Sequence, residues 1–172
     1  MARIPYPDPK SLSDSDREFL EILPQLNISR MLAGSPSTFK PLIRLFNSYL
    51  NEGVLDAELR EIIILRVGHL RNSKYEVDNH QRAARVIGMS QERIDALEPG
   101  NDLAMFTDEE RLVIQFVDEV LRDGGASKAT FEAVAEFMNT AELLELTVVI
   151  GVYTMISQIC ATFEIEGEAI PI

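Results

Sequence analysis

The sequence predicts an all-α fold, and three observations carry that expectation. Apolar residues recur at three- and four-residue intervals along most of the chain, cap residues punctuate it where such stretches begin and end, and no period-two segment competes. The length of 172 residues, with 46% apolar and 26% charged residues, suits a single domain over 1–172 with a substantial core. No internal repeat is evident.

The elements follow in order. Residues 1–12 are Pro-rich and read as an extended N-terminal arm. "SDSD" opens a helix from Ser13 to about Leu23, which Pro24 ends. A short helix over 28–34 stops at Gly34, and Phe39, Leu42, Ile43, Phe46 and Leu50 mark an amphipathic helix over 37–51. Asp56 caps "AELREIIILRVGHLR", which is apolar on most sides and belongs deep in the core. "NSKYEVDNHQRAARVIG" closes at Gly88, "SQERIDALE" is short, and Thr107 with Glu110 forms a capping box for a helix to Asp123, stopped by Gly124-Gly125. Ser127 starts a helix to about Met138, and Thr140 starts a long one ending near Phe163.

Charge and cysteine usage narrow the function classes. A net charge of −12 repels phosphates, so neither nucleic acid nor an anionic membrane surface is an expected partner. The single cysteine, Cys160, allows neither an intramolecular disulfide nor a cysteine-based zinc cluster. "MARIPYPDPK" lacks the apolar stretch of a signal peptide. The run "LLELTVVIGVYTMISQIC" approaches membrane-span length, but Glu145, Thr147, Thr154, Ser157 and Gln158 interrupt it, and a buried core helix is the better reading. The chain reads as soluble and cytoplasmic.

Residues 61–80 carry the candidate chemistry. On a helix, Glu76, His80, Ala83 and Ile87 share one stripe with Ala84 beside it, so Glu76 and His80 should face the interior. Buried carboxylates and imidazoles cost free energy unless they bond to each other. Glu61 shares its own stripe with Leu65 and Gly68, where a glycine admits a backbone or ligand at close range. A structural reading competes: Ser73 with Glu76 is S-x-x-E, a capping box, and an inward histidine often merely satisfies a core. On pattern alone the two readings stand level.

"LREIIILRVGHLRNSKYEVDNHQRAARVIGMS" resembles the carboxymuconolactone decarboxylase family, which includes the alkyl hydroperoxidase D branch, and residues 110–157 resemble its C-terminal half. That resemblance covers roughly residues 37–163 and implies an alkyl hydroperoxidase D-like helical bundle. The peroxidase branch carries a Glu, eleven residues, then Cys-x-x-Cys-x-x-x-His. Here those positions are Glu61, Ser73, Glu76 and His80, so both cysteines are missing. A hydroxyl and a carboxylate do not cycle through a disulfide, so a thiol peroxidase is not expected. Tyr75-Glu76 followed by His80 resembles the decarboxylase-type branch, whose usual form is Y-E-W-x-x-H; Val77 replaces the tryptophan.

The resemblance implies loss of CO₂ from a small carboxylated lactone such as 4-carboxymuconolactone, with the substrate's own lactone carbonyl as electron sink and no cofactor. His80 is then the proton carrier, Glu76 orients or charges it or is itself an acid of raised pKa, and Glu61 is a third relay member. Ser73 and Tyr75 are candidate donors to an enolate oxygen, with Ser73 as a plain helix cap in the alternative. His69, about 80° round the helix from Glu61, flanks the pocket or packs, and packing is favoured. Arg44, Arg66 and Arg71 are the nearest cations for an anionic substrate, each with a surface ion pair as the default. His69 and His80 fall on different helices without metal-ligand spacing, so no metal is expected. Alternatives are another acid–base reaction, such as isomerisation or cyclisation, and a non-catalytic oligomeric binding protein. An enzyme predicts a cavity of a few hundred cubic ångströms opening onto His80; a binding protein predicts none. The resemblance also implies a homo-oligomer, a trimer or hexamer or a dimer, for which the N-terminal arm could wrap a partner subunit.

Overall fold

Caps and glycines set the element order in the computed structural model, which describes residues 2–168; Met1 and residues 169–172, part of the 1–172 expectation, lie outside the described residues. After a 3-10 turn (Pro9–Ser11) come α1 (Asp14–Glu21), α2 (Asn27–Leu32), α3 (Phe39–Asn51), α4 (Ala57–Leu70), α5 (Lys74–Val86), α6 (Gln91–Ala96), α7 (Asp108–Asp123), α8 (Lys128–Ala135) and α9 (Thr140–Phe163). No strand occurs among the described residues, and the fold is all-α as the periodicity predicts. The described residues fall into two compact units, one holding residues up to 53 and from 159 onward, the other residues 54–158.

In the first unit the arm is tied down rather than frayed. The backbone N–H of Arg3 donates to the Phe163 carbonyl, and the Arg3 guanidinium pairs with Glu164. The Arg30 guanidinium stacks on the Tyr6 ring, and Pro7 lies where a side chain on Gly34 would need to be. Phe19 packs edge-on against the fully buried Phe39, with Lys40 bound to Asp16 beside them.

The second unit is built on α4. Asp56 accepts from the backbone N–H groups of Glu58 and Leu59, and every residue from Glu61 to Gly68 is buried. Helix α4 packs against α5 and α7. Ile62, Leu65, Ala84, Ile94, Leu97 and Ile114 form the centre of its core. The predicted capping box at Thr107 and Glu110 is present, and Gly88 and Gly124 adopt the left-handed conformation that ends their helices. Among the described residues α9 is long and apolar enough, by length and composition, to cross a membrane; 44% of its most apolar window is buried. Its Glu145 carboxylate accepts the backbone N–H groups of Val54 and Leu55 at the start of the unit.

The α4–α5 junction sets the site. Asn72 is left-handed, with φ of 52°, and the backbone N–H groups of Asn72 and Ser73 donate to the carbonyls of His69 and Gly68. This is the Schellman pattern, with asparagine where glycine is usual. It folds α5 back onto α4 with Gly68 at the crossing. A Cβ there would lie 3.1 Å from Val77 Cγ2 and 3.6 Å from Glu76 Cβ.

Candidate active site

Three polar residues expected to face inward do meet. His80 Nδ1 lies 2.8 Å from Glu61 Oε2, and His80 Nε2 lies 3.7 Å from Glu76 Oε2. Glu61 and Glu76 are each 4% exposed. With Glu61 as an acceptor, Nδ1 carries the hydrogen and donates. Burial pulls the His80 pKa down, but the Glu61 carboxylate, by charge and hydrogen bond, and Glu76, by charge, outweigh it. The result lies above the ordinary histidine value, with Arg60 a minor opposing charge.

The stripe reading holds for Glu76 and His80 and fails about two turns later, at Ile87. Ala84, the neighbour of the stripe, is fully buried, whereas Ile87 is 44% exposed. Ile87 follows the last turn of α5 and is its C-cap residue, where the approach to Gly88 carries it off the packed face.

The sequence reading missed Tyr153. From α9 its ring meets His80 edge-on, with centroids 4.9 Å apart and planes at 89°. A buried tyrosine in the most apolar helix was the available signal.

The capping role of Ser73 is not realised. Ser73 is the N-cap of α5 by position, yet its side chain makes no cap hydrogen bond, and its backbone N–H is taken by Gly68. The Schellman turn sets this residue's orientation, so the S-x-x-E pattern does not close a box. Ser73 is 3% exposed, and its Oγ has no hydrogen-bond partner in the structure.

A cavity of about 460 Å³ lies at this junction, lined by Gly68, His69, Asn72, Ser73, Lys74, Val77, Glu98 and Pro99. His69 therefore lines a cavity where packing was favoured, and its buried Nε2 has no partner. Burial holds the His69 imidazole below its ordinary pKa, against Glu98 and Asp95 and with Arg66. His80 is not among the lining residues, so this cavity does not open onto it as an enzyme reading predicts. At His80, Glu61 occupies Nδ1 and the Tyr153 ring packs edge-on against the imidazole. Tyr75 is buried and does not line the cavity.

The candidate cations separate. Arg66 is committed to a two-pronged pair with Asp118, at 2.7 and 2.6 Å, and to the Leu97 carbonyl. Arg71 donates to the Leu121 carbonyl. Arg44 lies in α3, within the first unit. Among the described residues no group of histidine, cysteine or acidic side chains is arranged to hold a metal ion, and Cys160 is buried.

Comparison with known proteins gives the context of this geometry. Residues 36–119 match the model of the carboxymuconolactone decarboxylase family. No curated protein matches the chain. Among solved structures, one of unknown function from Agrobacterium tumefaciens, described as a candidate antioxidant defence protein AhpD, is 24% identical with a TM-score of 0.72. It covers 80% of this chain and 94% of its own. An uncharacterized peroxidase-related protein with an alkylhydroperoxidase AhpD core, from Ralstonia eutropha JMP134, is 18% identical with a TM-score of 0.85, covering 98% of this chain and 93% of its own. Another uncharacterized peroxidase-related protein, from Silicibacter sp. TM1040, is 17% identical with a TM-score of 0.82, covering 97% and 91%. These likenesses show an AhpD-like fold. The matched segment contains Glu61, Ser73, Glu76 and His80, and that segment belongs to the carboxymuconolactone decarboxylase family.

Proposed function

We propose that the chain is a cofactor-independent acid–base enzyme, a carboxy-lyase acting on a small carboxylated lactone, with 4-carboxymuconolactone the first substrate to test. The observation that carries the reading is the placement of His80 between two buried carboxylates, 2.8 Å from Glu61 and 3.7 Å from Glu76. Family membership supports it.

The step balances without a cofactor. The carbon–carboxylate bond breaks, CO₂ leaves, and the electron pair passes through the ring to the lactone carbonyl as a dienolate. His80, whose protonated form Glu61 favours, delivers one proton from Nε2 to carbon. Glu61 holds Nδ1 and sets the ring orientation. Glu76, near Nε2, returns the proton from solvent for the next turnover. Tyr153 fixes the ring face.

Sulfur chemistry has little to work with here. The motif cysteines are replaced by Ser73 and Glu76, and the chain's one cysteine is buried in α9. A second reading, recruitment to isomerisation or cyclisation, draws support from Val77 at the tryptophan position of the decarboxylase-type motif and from a cavity centred on Ser73 and His69. The absence of His80 from that cavity's lining favours a third, a non-catalytic binding protein. The reading includes a homo-oligomer, one domain over 1–172 and a cytoplasmic setting, supported by the family likeness and the charge of −12.

The test follows 4-carboxymuconolactone absorbance and CO₂ release with wild type beside His80→Ala. Turnover that falls about 10²-fold or more in the variant supports the reading. No turnover by folded wild type defeats the named substrate.

A further inference from the structure

The cavity at the α4–α5 junction holds two polar atoms whose situation the proposed acid–base site leaves unexplained. Ser73 Oγ and His69 Nε2 are both buried and both without a hydrogen-bond partner, and both residues line the same cavity. Leaving such groups unpaired is costly, and native proteins keep few of them. The helix cap that would give Ser73 a local partner is not formed. Gly68 and the left-handed Asn72 of the Schellman turn line the same cavity.

The chemistry of the lining selects the ligand group. Ser73 and His69 offer a hydroxyl and an imidazole, and burial favours the neutral form of that imidazole. The charges are peripheral: Lys74 is largely exposed and paired with Asp78 at 2.6 Å, and Glu98 is exposed. A hydroxyl and a neutral imidazole lining one cavity suit an oxygen with two lone pairs. We propose that this cavity is a carbonyl-oxygen subsite, in which Ser73 Oγ–H and His69 Nε2–H donate together to the carbonyl of a small lactone or related ester.

This deepens the reading of the chain as an acid–base enzyme and rests on it for its catalytic meaning. In that reading, negative charge develops on the lactone oxygen as CO₂ leaves, and two preorganised neutral donors are what that charge requires. Ser73 and Glu76 are three residues apart, about 4.5 Å along the helix axis, which puts the subsite one turn from the carboxylate that approaches His80.

The test uses 2(5H)-furanone, a neutral butenolide without a carboxyl group, labelled with ¹³C at the carbonyl. The chain has only two histidines, so the ¹⁵N imidazole resonances of His69 and His80 are assigned from one variant. The expected result is a shift of the His69 Nε2 resonance on adding the lactone and a carbonyl infrared band lowered in frequency. Ser73→Ala then weakens binding by roughly 3–10-fold and restores part of the band. His69→Gln serves as the second variant, with the same loss. A wild-type His69 resonance that stays put at saturating lactone, or Ser73→Ala binding with unchanged affinity and band, overturns the proposal. Furanone binding without decarboxylation leaves the subsite standing and defeats the lyase reading; decarboxylation without furanone binding does the reverse.

Discussion

His80 donates from Nδ1 to Glu61 Oε2 across 2.8 Å, joining the fifth residue of α4 to the seventh of α5. The same contact that favours the charged imidazole joins two core helices.

The first prediction concerns the pH dependence of that bond. Burial lowers the His80 pKa, and Glu61 and Glu76 raise it further than burial lowers it. The folded value therefore exceeds the unfolded value of about 6.5. The stabilisation is complete below about pH 6.5 and is lost as pH rises through the folded pKa. Urea midpoints across pH 5–9 should fall over that window in wild type and flatten in Glu61→Gln. An identical slope in both proteins would show that Glu61 does not hold the proton on His80.

Glu119 makes the opposite prediction. Its carboxylate accepts from Gln115 Nε2, the Ser127 backbone N–H and the Thr130 hydroxyl, which hold its pKa down to about 2. A depressed carboxylate contributes stability above its unfolded pKa and loses it as pH falls through about 2. Thermal unfolding of Glu119→Gln should show a deficit at pH 7 that narrows toward pH 2. A constant deficit would place the effect in packing rather than ionisation.

Gly68→Ala tests the close approach of α5. Alanine in place of glycine favours a helix by about 1 kcal/mol. The new Cβ meets Val77 Cγ2 at 3.1 Å, and overpacking costs about 1–3 kcal/mol. Net destabilisation of about 1 kcal/mol is expected in urea unfolding. The same substitution should cost less on a Val77→Ala background, and an equal cost on both would locate the conflict elsewhere.

Arg66 is predicted to be structural. Its side chain is 9% exposed, and it serves Asp118 and the Leu97 carbonyl. Arg66→Ala should cost about 3 kcal/mol, near the lower end for a broken buried pair because Asp118 keeps 29% exposure. KM measured well below the melting temperature should hold. A raised KM with unchanged stability would restore Arg66 as a substrate contact.

Helix positions were readable because they depend on local chemistry. The capping box at Thr107 and the glycine stops at Gly88 and Gly124 act within one turn, and the spacing of Glu61, Glu76 and His80 follows from helical geometry once two helices pack. Ser73 and Tyr153 were less readable for the opposite reason. Whether Ser73 caps α5 depends on a left-handed Asn72, a conformation that residue type permits but does not dictate. Tyr153 reaches His80 from another helix, 73 residues later, and no sequence period encodes that meeting. Ile87 was misplaced because a stripe drawn at 100° per residue ignores where the helix stops.

The most direct test of the account is the pH dependence of kcat/KM for decarboxylation in wild type and Glu61→Gln. If protonated His80 supplies the proton, the wild-type rate falls as pH rises through a pKa above 6.5, and Glu61→Gln moves that limb to lower pH. A limb that Glu61→Gln leaves in place, or a rate that rises across the same range, contradicts it.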